Sequence, residues 1–282
     1  MDFKDILVSV DATDAGERRL RLAAAIAREH QAHLSAAYVL LAAAAGTAEG
    51  GRIATVPHLV SPPAGANATG AAALAEIIEQ RFRETVGPHA IASDWHLFEE
   101  REGENLVALL KAVDLAVFGQ GAPDYRLPSG FRPEDIVIAS GRPVIIVPYA
   151  GTFDAVGRRV LVAWDETREA SRALHDSLPL IAKAEAVTVM TVRTREASFE
   201  HDGPSLDRIV RHLERHGIPA RAEETLRGDL PIADVLLSRA ADLGVDLIVA
   251  GAYHHSPIRE ALLGGVSREL LDHMTVPVLM SH

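Results

Sequence analysis

Ile6-Leu7-Val8-Ser9-Val10-Asp11-Ala12-Thr13 is answered by Val160-Leu161-Val162-Ala163-Trp164-Asp165-Glu166-Thr167, 165 − 11 = 154 positions further on. Each stretch is an apolar run rich in β-branched residues that stops at Asp-x-Thr and gives way to an Ala-rich segment. A run without polar alternation is what a strand buried on both faces requires. A second match closes the repeat. Arg142-Pro143-Val144-Ile145-Ile146-Val147 lines up with Val276-Pro277-Val278-Leu279-Met280-Ser281 at an offset of 277 − 143 = 134. The shorter offset leaves the first copy about 20 residues longer inside, and one unit used twice is the simplest architecture.

Working outward in the second copy, strands are expected at Val160–Trp164, Val187–Val192, Val245–Ala250 and Pro277–Met280, with the polar Arg221–Thr225 as an edge. Between them Ala170, Leu174, Leu178 and Ile181 fall at helical spacing, and Pro179 must kink or shorten that helix. Leu206, Ile209, Val210 and Leu213 mark a second helix, and Ile232, Leu236, Ala240 and Leu243 a third, for which Asp229 is the expected N-cap. A fourth covers Val266–Met274. The first copy follows the same plan, with strands at 4–10, 33–39, 94–98, 113–118 and 143–147.

Strict strand–helix alternation specifies the α/β class. The expectation is two tandem doubly wound, Rossmann-like domains, residues 1–148 and 158–282, each a five-stranded parallel sheet with helices on both faces. Tyr149–Gly157 is the linker. The Ala-, Gly- and Pro-rich Leu41–Gly70 is matched in the second copy only by the short loop Arg193–Gly203, and reads either as a mobile insertion or as a lid.

Composition narrows the function. With 48% hydrophobic and 24% charged residues the chain can bury two cores, but 5% aromatics means Ala, Val, Leu and Ile must fill them. A formal charge of −11 argues against general nucleic-acid binding. There is no cysteine, hence no disulfide, thiolate metal site or Cys nucleophile. The start carries no basic leader, and Leu40–Ala45 is too short to span a bilayer, so a cytoplasmic protein without membrane contact is expected. No P-loop or Gly-x-Ser-x-Gly elbow occurs, Gly119-Gln120-Gly121 lacks the third glycine of a dinucleotide fingerprint, and the 13 histidines show no ligand spacing. No catalytic or metal-binding residue is assigned, and any turnover should be slow.

Open parallel sheets bind ligands at the carboxyl ends of their strands. In the second copy Asp165 ends the first strand and Gly251 the fourth, and Gly264-Gly265-Val266-Ser267 opens the last helix, where backbone N–H groups and the helix dipole favour an anion. Gly251-x2-His254-x9-Gly264-Gly265 resembles the Gly-x2-Gly-x9-Gly-(Ser/Thr) nucleotide signature of the universal stress protein family, and Thr275–Met280 resembles the tail of its tandem bacterial members.

That resemblance implies a stress-response protein holding ATP, ADP or AMP in the second domain, with Mg only beside a triphosphate. Ala163 and Asp165 would take the adenine side, Val192 the base, and Gly251 and Ala252 the ribose. His254, Gly264, Gly265, Val266 and Ser267 would face the phosphates. It also implies strand order 3-2-1-4-5, with fifth strands pairing antiparallel within a pseudo-dimer or between subunits.

Two positions depart from the signature, His254 for its second glycine and Gly265 for its hydroxyl. An imidazole at 254 either fills the phosphate space or, protonated, holds an anion. The first copy, with Ala122 and Arg132-Pro133 where glycines belong, reads as structural, with Asp11 as a helix N-cap. A nucleotide-independent scaffold acting through protein contacts is the competing reading.

Overall fold

The computed structural model of the chain describes residues 2–40, 68–99, 102–121, 133–193, 206–252 and 265–282. The first half runs β1 (Asp5–Ser9), α1 (Asp14–His30), β2 (His33–Leu40), α2 (Ala68–Val86), β3 (Ser93–Glu99), α3 (Gly103–Leu110), β4 (Leu115–Gly119), α4 (Pro133–Ser140) and β5 (Val144–Val147). The second repeats it as β6 (Arg159–Ala163), α5 (Arg168–Ile181), β7 (Ala186–Arg193), α6 (Leu206–Arg215), β8 (Ala220–Leu226), α7 (Ile232–Asp242), β9 (Leu247–Gly251), α8 (Val266–His273) and β10 (Val278–Ser281). Most of the insertion, residues 41–67, lies outside the described residues. Among the described residues no helix is long and apolar enough to cross a membrane.

All ten strands join one sheet in the order β3-β2-β1-β4-β5-β10-β9-β6-β7-β8. Each half therefore has the expected 3-2-1-4-5 order, parallel throughout, which right-handed crossovers deliver when helices must cover both faces. The halves meet through β5 and β10, which pair antiparallel with Ile145 opposite Leu279. All four β5 residues and all four β10 residues are buried. Left uncovered, either strand would be an apolar sheet edge, and each buried Val, Ile or Leu side chain contributes about 1.5–3 kcal/mol over its exposed state. The outermost strand β8 carries Arg221, Glu223 and Glu224 and alternates in exposure, as a solvent-facing edge should.

Two apolar layers sandwich the sheet. Helices α1, α2, α5 and α6 pack on one face through Leu22, Phe82, Leu174 and Leu213, and α3, α4, α7 and α8 on the other through Leu110, Ile136, Leu236 and Leu270. Both layers run across the junction. Glu29 and Lys183 occupy equivalent places in the repeat, and their side chains meet at 3.0 Å, as equivalent groups do only beside a pseudo-two-fold axis.

One local expectation changes and one alternative is decided. The cap of α7 is not Asp229 but Pro231, whose preset φ of −56° starts the helix at Ile232. Of the two effects expected of Pro179, kinking or shortening, the second is found: α5 ends two residues beyond it at Ile181.

Candidate functional site

The two Asp-x-Thr turns differ in what surrounds them, although they begin alike. In both halves the threonine, not the aspartate, caps the helix: Thr13 Oγ1 accepts from Gly16 N at 2.9 Å, and Thr167 Oγ1 from Ala170 N at 3.1 Å. The expected N-cap role of Asp11 is thus corrected, because the helix starts at Asp14, two residues later than an Asp11 cap would need. Each aspartate instead braces its threonine. Asp11 Oδ1 accepts from Thr13 N (2.8 Å) and from the Thr13 hydroxyl, and Asp165 Oδ1 accepts from Thr167 N (3.1 Å) and Thr167 Oγ1 (2.6 Å).

Beyond that the halves diverge. In the first, Arg19 Nη2 donates to Asp11 Oδ2 at 2.7 Å and Arg19 Nε to Ser9 O at 2.7 Å, and Arg19 is 3% exposed. Its guanidinium lies over the end of β4, so close that a Cβ at Gly119 would stand 2.3 Å from Nη1. Gly16 makes this possible, since a Cβ there would fall 2.3 Å from Asp11 Oδ1. Burial alone would raise the Asp11 pKa, but the Arg19 charge and the hydrogen bonds from Thr13 and Arg19 hold it below 3.8. The first strand-end cleft is closed by an internal ion pair.

In the second half the positions matching Gly16 and Arg19 are Ala170 and Ala173, both buried. The Ala170 methyl takes the space that an inward-turned carboxylate would need, and Ala173 offers no cation. Asp165 is accordingly exposed, and among the described residues no ion pair holds it. The same strand end brings in Gly251, where a Cβ would lie 2.5 Å from Ala170 N and 2.6 Å from the Glu169 carbonyl carbon. Glycine there lets α5 sit directly on β9.

Ala163 and Val192 are partly buried against the layer that contains α7 and α8, on one face of the sheet. Ala252 is fully buried in that layer, its N–H donating to Ser281 O at 2.9 Å, so it offers core packing rather than open surface. Gly265 stands at the N-cap of α8 with φ −68° and ψ 143°, followed by exposed Val266 and half-buried Ser267. First-turn amides of any helix lack partners within it. Among the described residues an added Cβ at Gly265 would meet nothing within 4 Å, and its φ of −68° is open to any residue. His254 and Gly264 lie outside the described residues. Among the described residues no three His, Asp or Glu side chains are placed to hold a metal ion.

Sequence reasoning missed Arg19 and both threonine caps. The Thr at the third position of each turn was a visible signal for the caps. Arg19 had none, because its partner is set by how α1 crosses β1 and β4.

The family model for the Universal stress protein family matches residues 157–282. Among curated proteins none matches the chain. Among solved structures, a universal stress protein from Archaeoglobus fulgidus superposes with a TM-score of 0.71 at 14% identity, over 98% of this chain and 95% of its own. A functionally unknown protein from Pseudomonas aeruginosa superposes with a TM-score of 0.58 at 16% identity, over 99% of this chain and 92% of its own. These likenesses carry the fold across both halves. The chain is thus similar to the Universal stress protein family through residues 157–282, a little under half of its length.

Proposed function

We propose that the protein is a stress-response protein whose second half holds an adenine nucleotide, ATP, ADP or AMP, with little or no turnover. The contrast between the two strand ends carries this reading: Asp11 is sealed by Arg19, whereas Asp165 is exposed at the strand end it shares with Gly251. A carboxylate accepts hydrogen bonds from a base or ribose, and a helix start receives phosphate. Asp165 and Ala163 would take the adenine side with Val192 beside the base, and Gly251 would approach the ribose. Gly265, Val266 and Ser267, with His254 and Gly264, would face the phosphates. Mg would accompany only a triphosphate.

Calorimetric titration of nucleotide-stripped protein with ATP, ADP and AMP tests the reading. Wild type should bind, and Asp165→Ala should weaken binding by about tenfold or more, the worth of a hydrogen bond to a charged group. No heat and no thermal shift at millimolar ATP would sink the proposal. That outcome would favour a scaffold that works through protein contacts alone.

A further inference from the structure

Gln120 follows β4 in the first half, one residue beyond the glycine that Arg19 covers. Its backbone N–H stays with the sheet, donating to Val147 O at 2.8 Å. Its side chain leaves the first half altogether. Nε2 donates to Leu271 O at 2.8 Å and to Asp272 O at 3.2 Å, in the last turn of α8, and Oε1 accepts from Tyr149 N at 3.3 Å. The residue is 5% exposed, so these bonds satisfy groups with no recourse to water.

The last carbonyls of a helix have no partner within it and form the negative end of its dipole. A neutral amide with two N–H donors suits that end. The helix it grips is only two turns long, so its far end, Gly265-Val266-Ser267, is about 12 Å away and moves with it as a rigid rod. The repeat does not return the favour. Ala252 occupies the corresponding place after β9 and keeps the backbone bond, to Ser281 O at 2.9 Å, but its methyl can donate nothing to α4.

We infer that Gln120 is a positioning residue by which the first half sets the pose of α8, and hence of the anion-facing helix start, in the second. The contact stands by itself; its consequence for ligand rests on the nucleotide reading above. The closed first half then has a task, holding the helix on which its partner's site depends.

Hydrogen–deuterium exchange of the 266–273 amides and ATP titration, both on the full chain, test this with Gln120→Met and Gln120→Glu. Methionine removes donors and acceptor at similar bulk. Glutamate keeps an acceptor for Tyr149 but sets carboxylate oxygens against the α8 carbonyls. Both should speed exchange in α8 about tenfold relative to α4, as lost buried hydrogen bonds do, and raise the ATP Kd severalfold. Unchanged α8 exchange in both variants overturns the inference. So does equal acceleration in α4 and α8, which marks a merely structural role, or an unchanged Kd beside faster α8 exchange. If glutamate prevents folding, methionine is the variant read, with Gln120→Asn as the milder control. If wild type binds no nucleotide, that reading fails, and the exchange data alone decide the grip on α8.

Discussion

Arg19 is what separates two otherwise matching aspartates. Removing it by Arg19→Ala, which copies Ala173, takes the guanidinium away from a carboxylate that is nearly buried. Breaking a buried pair from one side typically costs about 3–5 kcal/mol, so urea denaturation should show a loss of that order. The same pair makes a statement about acid. Because Asp11 titrates below its ordinary 3.8 in the folded chain, its stabilisation is complete above that value and disappears as pH falls through the folded pKa. The glycines give a second contrast. Gly251→Ala would press a methyl onto the backbone of Glu169 and Ala170 and should cost about 1–3 kcal/mol, whereas Gly265→Ala in ligand-free protein should stay within about 0.5 kcal/mol. Asp165 and Gly251 were legible as strand-end residues because the repeat displays them twice. The fate of Asp11 was not, since it depends on Gly16 and Arg19, which read as ordinary helix positions until α1 is laid across the sheet.

Among the helices, α5 and α6 share a feature that periodicity alone does not reveal. His212 and His216, one turn apart on the α6 side, stand with His175 of α5 in a row, ring centroids 5.1 Å and 4.8 Å apart. His175 Nδ1 bonds Ser171 O at 2.7 Å, and His212 Nε2 is buried with no partner among the described residues. Desolvation, then the charges of His175, His216 and Arg215, lower the His212 pKa below 6.5, and burial does the same at His30 despite Glu29 and Asp2. The unfolded chain therefore binds more protons than the folded one near that value, so stability rises with pH and falls as pH drops through 6.5. Urea midpoints measured from about pH 7.5 down to about 5.5 should decline, and His212→Gln should flatten the decline. A midpoint independent of pH would contradict this. The apolar stripes of α5 and α6 were readable from spacing, with Leu174 and Leu213 fully buried as expected. Caps were less so: Asp11 and Asp229 have the right side chains, but Thr13 and Pro231 hold the helix starts because backbone φ, not acceptor chemistry alone, decides where a helix begins.

At the scale of the molecule, the junction of β5 and β10 is the feature with most at stake. Residues 158–282 expressed alone would carry β10 as an uncovered edge whose four residues are all buried in the whole chain. Such a fragment should pair with a second copy through antiparallel β10 strands, and sedimentation should report a dimer that Leu279→Asp returns to monomer. A monomeric fragment with an unblocked edge would speak against the strand being adhesive. Strand order was readable at the level of family resemblance, and strand positions from the apolar runs, but the register that sets Ile145 opposite Leu279 was not, because two uniformly apolar strands pair equally well in several alignments. Joining the two units covalently also removes an obligation. Two identical subunits about a symmetry axis must present identical clefts, whereas here one aspartate is sealed by a guanidinium and its counterpart Asp165 faces solvent. On the nucleotide proposal, uptake should therefore saturate at one guest per polypeptide, along a simple hyperbola, with no equal neighbour to make the curve sigmoidal.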